Sequence, residues 1–338
     1  MLPSPSVARY QRKRLDTSPR KRILETLTRR SRLTNLGVFL ISGICTISLL
    51  LNLSFWTFST SRFTTLHHSL LSFATINRPS SYKSLNHLIL VPCHSIWKGT
   101  DSWLEEKDWI LESYQKGPGR VRAFYEHIAR SSELANKDPH SLLVFSGGQT
   151  KPQSSTTEAE SYLRLAQAAN LLPGQSSETL ISSRATTENY AMDSYQNLLF
   201  SIARFREFTG HFPSKITVVG YEFKQLRFTE LHREALRWPK NKFDYIGVDP
   251  EHENESNALH GEQQNGYLPF TLDTYGCHSV LLNKRRQRNP HLRFHPYYTS
   301  SPELAALLDW CPGDAEGGKA FLFKGPLPWD RSTIARDS

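Results

Sequence analysis

Between Arg32 and Arg62 the sequence has no carboxylate, lysine, arginine or histidine. A gap in charge that long excludes an ordinary solvated segment, which needs a polar face. Its core, "LGVFLISGICTISLLLNLSFWTF" at 36–58, is long enough to cross roughly 30 Å of hydrocarbon as a helix. Ser42, Thr46, Asn52 and Ser54 dilute the run without charging it, and Trp56 suits a membrane interface. Cysteine is scarce as well. Four in 338 residues are too few for a disulfide scaffold, and the lack of any Cys-x-x-Cys spacing argues against a structural zinc. Cys277 and Cys311 can pair in an oxidising compartment, which leaves Cys93 free.

Several chemistries lack their motifs. No Gly-x-Ser-x-Gly, no phosphate-loop Gly-x-x-x-x-Gly-Lys-Ser/Thr and no His-Glu-x-x-His is present. No Gly-x-Gly-x-x-Gly follows the first strand, which disfavours a typical NAD or FAD site. No Asp-x-Asp follows a strand to hold a sugar nucleotide's metal, and there are no internal repeats.

What is present begins with charge. The net charge is +9, but residues 1–34 hold ten Lys/Arg against two Asp/Glu, so +8 sits there and the rest carries +1. A basic tail on a near-neutral body excludes a uniformly basic nucleic-acid binder. With the basic flank first, the positive-inside rule puts the N-terminus in the cytosol and residues 60–338 in the lumen of the ER or Golgi. A cleaved signal peptide would have a shorter apolar run nearer the start. The arginine-rich, acid-poor stretch 9–32 also fits a mitochondrial presequence, so a mitochondrial membrane is the alternative. Asn254-Glu255-Ser256 is a glycosylation sequon, usable if its loop is lumenal.

The reading is a basic tail at 1–34, a signal anchor at 35–58, a Ser/Thr-rich stem at 59–85, an α/β domain at 86–250 and a loop with C-terminal appendage at 251–338. Strands are expected at 87–93, 141–147, 215–221 and 243–249, with a short one at 179–182. Helices are expected at 103–113, 119–131, 157–170, 194–208 and 224–237 from their 3.6-residue apolar spacing. Nearly all-apolar strands alternating with helices predict a doubly wound, mainly parallel, Rossmann-like sheet covered on both faces.

In such sheets ligands bind beyond the carboxyl ends of the strands. Ser146-Gly147-Gly148 ends one strand. Its glycines let a ligand approach the backbone amides, which with the following helix start would suit an anion; the alternative is a tight turn. Other strand ends bring Cys93-His94, Glu222, Lys224, Arg227 and Asp249, and Glu188, Asp193, Ser194, Gln196 and Asn197 precede or open a helix. Glu158 and Glu188 are the candidate catalytic carboxylates, each with an alternative as a helix-start or loop acid. Ser146, Gly147, Gly148, Asp193, Ser194, Asn197, Lys224 and Arg227 are candidate ligand contacts. No metal site and no specific cofactor is assigned. The "NKRRQR" run at 283–288 reads as a headgroup contact or a solvated loop.

These residues resemble a family. Ser146-Gly147-Gly148, then Thr157-Glu158-Ala159, then Glu188 nine residues before Asn197, then Lys224-x-x-Arg227 after a strand, look like the YdcF/SanA/ElyC-like bacterial envelope proteins. "PCHSIW", "FSGGQT", "NLLFSIARF" and "DTYGCHSVLLNKR" look like its fungal, membrane-anchored members. The likeness covers about residues 87–250. It implies a Rossmann-like domain that binds or processes an anionic small molecule, a nucleotide-like cofactor or a phosphorylated glycan or lipid precursor, in envelope or glycan biogenesis. Asp193-Ser194-Tyr195-Gln196-Asn197 replaces the family's Asn-Thr segment, Gly220 stands for a Thr, and Lys224 stands for a His. A histidine shuttles protons near neutral pH; a lysine that keeps its charge binds an anion instead. The second expectation is a non-catalytic accessory protein of the secretory pathway, acting through protein partners at the appendage.

Overall fold

The computed structural model describes residues 30–59, 75–174, 184–250, 255–313 and 321–330. Most of the basic tail, most of the stem, the strand expected at 179–182 and Asn254 lie outside the described residues. The chain divides into two units, Met1–His67 and His68–Ser338.

The first unit is described as one helix, α1 (Arg30–Ser59). Its twenty residues Asn35–Ser54 are long and apolar enough to cross a membrane, and none of that stretch is buried in the protein. The polar residues that dilute it bond to their own helix. Thr46 Oγ1 donates to Ser42 O at 2.7 Å, and Asn52 Nδ2 donates to Ser48 O at 2.8 Å. Such back-bonding satisfies polar side chains without water.

The second unit is built on strands β1 (His87–Pro92), β2 (Ile96–Trp97), β3 (Trp109–Ile110), β4 (Ser141–Ser146), β5 (Ala185–Glu188), β6 (Lys215–Gly220) and β7 (Phe243–Gly247). Five form one parallel sheet in the order β5-β4-β1-β6-β7, and β2 pairs antiparallel with β3. In chain order the five run third, second, first, fourth, fifth. This is the doubly wound, Rossmann-like arrangement, and its order reverses between β1 and β6.

Both faces are covered, as the apolar strands require. Leu88 and Leu90 of β1 enter one core and Ile89 and Val91 the other, because successive strand side chains point to opposite faces. Helices α2 (Arg120–Lys137) and α3 (Glu158–Ala168) cover the Ile89 face, and α4 (Ser194–Thr209) covers the other. Asp193 caps α4 by accepting from Gln196 N at 2.8 Å, and Thr157 and Glu160 form a capping box on α3.

Residues beyond 250 do not stand apart from this domain. Phe270, Tyr275, Tyr297, Leu304, Phe323 and Trp329 are buried in the same core as α4, so the expected appendage completes one face of the sheet. A disulfide joins Cys277 to Cys311, and Cys93 is free and buried.

Two local expectations are corrected. Residues 103–113 form two short 3-10 turns and β3 rather than a helix. Trp97 and Trp109 pair across β2 and β3, and Trp109 packs against Phe124 and Tyr162, contacts that an extended strand provides. Residues 224–237 break into a 3-10 turn (Glu222–Lys224), a π turn (Arg227–His232) and the short α5 (Arg233–Ala235). Strand β5 is a polar edge strand that the apolar runs did not announce.

Candidate functional site

The Ser146-Gly147-Gly148 break sits at the carboxyl end of β4, as expected, but its amides serve the fold. Gly147 N donates to Glu188 O at 3.0 Å and Gly148 N to Ala191 O at 2.8 Å. The start of α3 is used in the same way: Glu158 N donates to Gly148 O and Ala159 N to Gly147 O. The expected anion cradle of Gly147 and Gly148 amides is therefore corrected to a backbone weld between β4, β5 and α3. Neither glycine has a positive φ; they are needed for close approach. A Cβ on Gly148 would lie 2.8 Å from Ala191 O, and one on Gly147 would lie 2.9 Å from Glu158 Cβ. Because Ala191 O is held by the Gly148 amide, it cannot yield. Gly148→Ala is expected to destabilise the domain by about 1–3 kcal/mol, read as a lowered thermal midpoint; an unchanged midpoint would contradict the weld.

Glu188 is the hub beneath that weld. It is fully buried and accepts four hydrogen bonds. Oε2 takes Ser146 Oγ at 2.7 Å and Ala191 N at 3.2 Å; Oε1 takes Tyr190 N at 2.8 Å and Tyr297 Oη at 3.0 Å. Ser146 Oγ also lies 2.9 Å from the Asn197 amide oxygen. A hydroxyl has one proton, so both contacts are satisfied with the amide turned to donate its NH2. Burial pushes the Glu188 carboxyl up while the four donors pull it back. With every acceptor position filled, Glu188 holds the loop and reaches no ligand.

Asp193, Ser194 and Asn197 are internal too. Asp193 pairs its second oxygen with Arg285 Nε at 2.5 Å, and Ser194 Oγ lies 2.7 Å from His232 Nε2. These expected ligand contacts join α4 to its neighbours.

The groups not taken up in this way are charged. Glu158 accepts from Thr150 Oγ1 at 2.5 Å through Oε1, and its Oε2 has no hydrogen bond among the described residues. Burial pushes its carboxyl up, against Thr150, Lys151, Arg288 and Lys224. Lys224, after β6, has no carboxylate at ion-pair distance among the described residues; its ammonium lies 4.8 Å from the Tyr221 ring. Burial pushes Lys224 down to about 7, with Arg227 and Arg288 repelling it and Glu262 and Glu158 opposing. Arg227 does have a partner, Glu262 Oε1, 3.0 Å from its Nε. Burial lowers Lys284 as well, helped by Arg288 and Arg227.

The cations Lys224, Arg227, Lys284 and Arg288 thus influence one another beside two carboxylates, Glu158 and Glu262. Beneath them His94 is stacked on Tyr221 at 4.9 Å, and its Nε2 has no hydrogen-bond partner among the described residues. Burial drives His94 well below the usual histidine range, so it is neutral at pH 7. His94 follows β1 and Lys224 follows β6, so both flank the strands where the sheet order reverses, the place where ligands bind in this architecture.

Of the expected residues the structure brings Glu158, Lys224 and Arg227 into this charged cluster and turns the others inward. The sequence analysis missed Glu262 at the end of α6 (Glu255–Glu262) and Tyr297, and it read Lys284 and Arg288, on and after α7 (Ser279–Gln287), as a headgroup contact or solvated loop rather than as part of this cluster. The signal for two of them was the four-residue spacing of Lys284 and Arg288, which puts them on one helical face. The one His/Cys/carboxylate cluster among the described residues tight enough to share a metal ion is Cys277, His278 and Cys311, and its two sulfurs are bonded to each other.

No protein-family profile matches the sequence, and no solved structure matches it. A Saccharomyces cerevisiae protein described as "Uncharacterized protein YOR238W" is 31% identical over 259 residues, 62% of this chain and 86% of the yeast protein. The match takes in most of the yeast protein's length, and on that extent of likeness the chain belongs to the same family as YOR238W.

Proposed function

We propose that the chain is a membrane-anchored domain of the YdcF/SanA type whose crevice binds, and through Glu158 acts on, an anionic small molecule. The observation that carries this is Lys224, a half-buried lysine whose ammonium is pushed toward neutrality by desolvation and by two neighbouring arginines, with no carboxylate at ion-pair distance among the described residues. Four cations beside two carboxylates leave an excess of positive charge, which is complementary to an anion. Lys224, Arg227 and Arg288 supply the counter-charge. Glu158, with a free oxygen and a raised carboxyl, is the group placed to move a proton or hold a hydroxyl. A nucleotide-like cofactor or a phosphorylated glycan or lipid precursor fits that chemistry, in glycan or envelope biogenesis.

In this reading α1 is a signal anchor and the domain is lumenal, in the ER or Golgi. The basic residues before α1 support that orientation, and the Cys277–Cys311 bond suits an oxidising lumen. The mitochondrial membrane is the alternative. The test is a thermal-shift screen of the full chain in detergent against nucleotides, S-adenosylmethionine, nucleotide sugars and polyprenyl phosphates. Ligand at a hundred times Kd stabilises by about 2.7 kcal/mol, a readily measured shift. A shift lost in Glu158→Ala supports the reading. No shift with any of them, from folded protein, favours the accessory-protein reading, which the internal saturation of Glu188 and the Ser-Gly-Gly amides also suits.

A further inference from the structure

Leu292 sits where a leucine is unwelcome on two counts. Its φ is +52°, the left-handed region that strains a bulky side chain, and it is 88% exposed. Its neighbours lock this conformation. Leu292 N donates to Asn289 O at 3.2 Å. The Asn289 side chain then clamps Arg293, accepting from its N at 2.8 Å and donating to its O at 2.9 Å. Arg293 turns inward, its guanidinium 4.9 Å from the Tyr190 ring. The turn is fixed from both sides with the leucine outward.

Phe294 follows, 73% exposed, and lies in stacked contact with His295 at 4.8 Å and with Tyr298 at 5.8 Å. Exposed Arg286 and Arg288 precede the turn, the latter tied by a bond to Met192 O at 3.0 Å. An apolar tip, an aromatic slab and a basic collar are what a bilayer interface takes up. The same chain carries α1.

We propose that the 289–294 turn is a second membrane contact. Leu292 and Phe294 enter the interfacial layer of a bilayer bearing anionic lipid, and the exposed Arg286 meets the headgroup phosphates. The proposal rests on α1 spanning that bilayer.

The test reconstitutes the full chain in phosphatidylcholine–phosphatidylserine vesicles doped with a lipid carrying a diazirine in its acyl chain, followed by photolysis and mapping of adducts by mass spectrometry. The expected result is adducts within 35–54 and on the peptide holding Leu292 and Phe294. The second set should fall several-fold in phosphatidylcholine alone and vanish in a Leu292→Gly, Phe294→Ser variant. Glycine relieves the positive φ and both side chains lie outside the core, so the variant's thermal midpoint is expected to hold. Adducts in 35–54 with none on the turn overturn the proposal and leave the span intact; adducts in neither overturn both. Turn labelling that survives the double substitution, or that disappears as the protein-to-lipid ratio rises because a second copy covers the turn, also overturns it. Labelling indifferent to phosphatidylserine overturns the role of Arg286.

Discussion

Glu188→Ala is expected to lower the stability of the domain by about 3–5 kcal/mol, the range for removing one partner of a buried, charge-assisted network. The substitution strands four donors at once: the Ser146 and Tyr297 hydroxyls and the Tyr190 and Ala191 amides. Each donor left unsatisfied away from water costs about 1–3 kcal/mol, and relaxation recovers part of the sum. Glu188→Gln keeps the shape but turns an NH2 toward donors, so it falls between alanine and the native chain. The network also ties Tyr297, 109 residues along the chain, to β5. Amide exchange near residue 297 should therefore quicken in Glu188→Ala, and Tyr297→Phe should cost much less in the Glu188→Ala background than alone. A thermal midpoint within a degree or two of native, with exchange near 297 unchanged, would remove Glu188 from the centre of the fold.

This hub marks where the sequence stops being legible. Strands β1, β4, β6 and β7 could be read because burial on both faces leaves near-continuous apolar runs such as Leu88–Val91 and Leu142–Phe145. Strand β5 could not. It is four residues long, "ATTE", at the sheet edge, and its one strong determinant is Glu188, two of whose partners, Ser146 and Tyr297, lie far off in sequence. The broken helix after β6 was read as continuous because a π turn leaves no periodic trace. At the site, polar residues past strand ends could be found, but not the side to which each turns. Asp193, Ser194 and Asn197 have the composition of ligand contacts and are spent on Arg285, His232 and Ser146. Lys224 differs from them in having no ion-pair partner among the described residues, and a sequence cannot display that.

Lys224→Met is expected to raise stability and weaken anion binding together. At pH 6 the native chain holds a half-buried ammonium with no ion-pair partner among the described residues. A methionine of similar shape removes that burden and should stabilise by about 1–3 kcal/mol. The pH dependence has a definite sign. The folded value is about 7 against an ordinary 10.5, so the penalty is full below pH 7. Between those values the unfolded chain binds the proton and the folded chain does not, so native stability rises with pH across that window. The advantage of Lys224→Met should therefore shrink as pH climbs from 7 toward 10.5. Binding of whichever anion the screen identifies should weaken by about 10- to 100-fold, the worth of one charged hydrogen bond. Arg227→Met is the control. It removes the same charge from the same crevice but leaves Glu262 buried, 3.0 Å from where the guanidinium was, so it should destabilise. Opposite signs for the two substitutions would separate a cation held for a ligand from one held by the fold. The same sign for both, with binding untouched, would make Lys224 structural and leave the crevice without its anion.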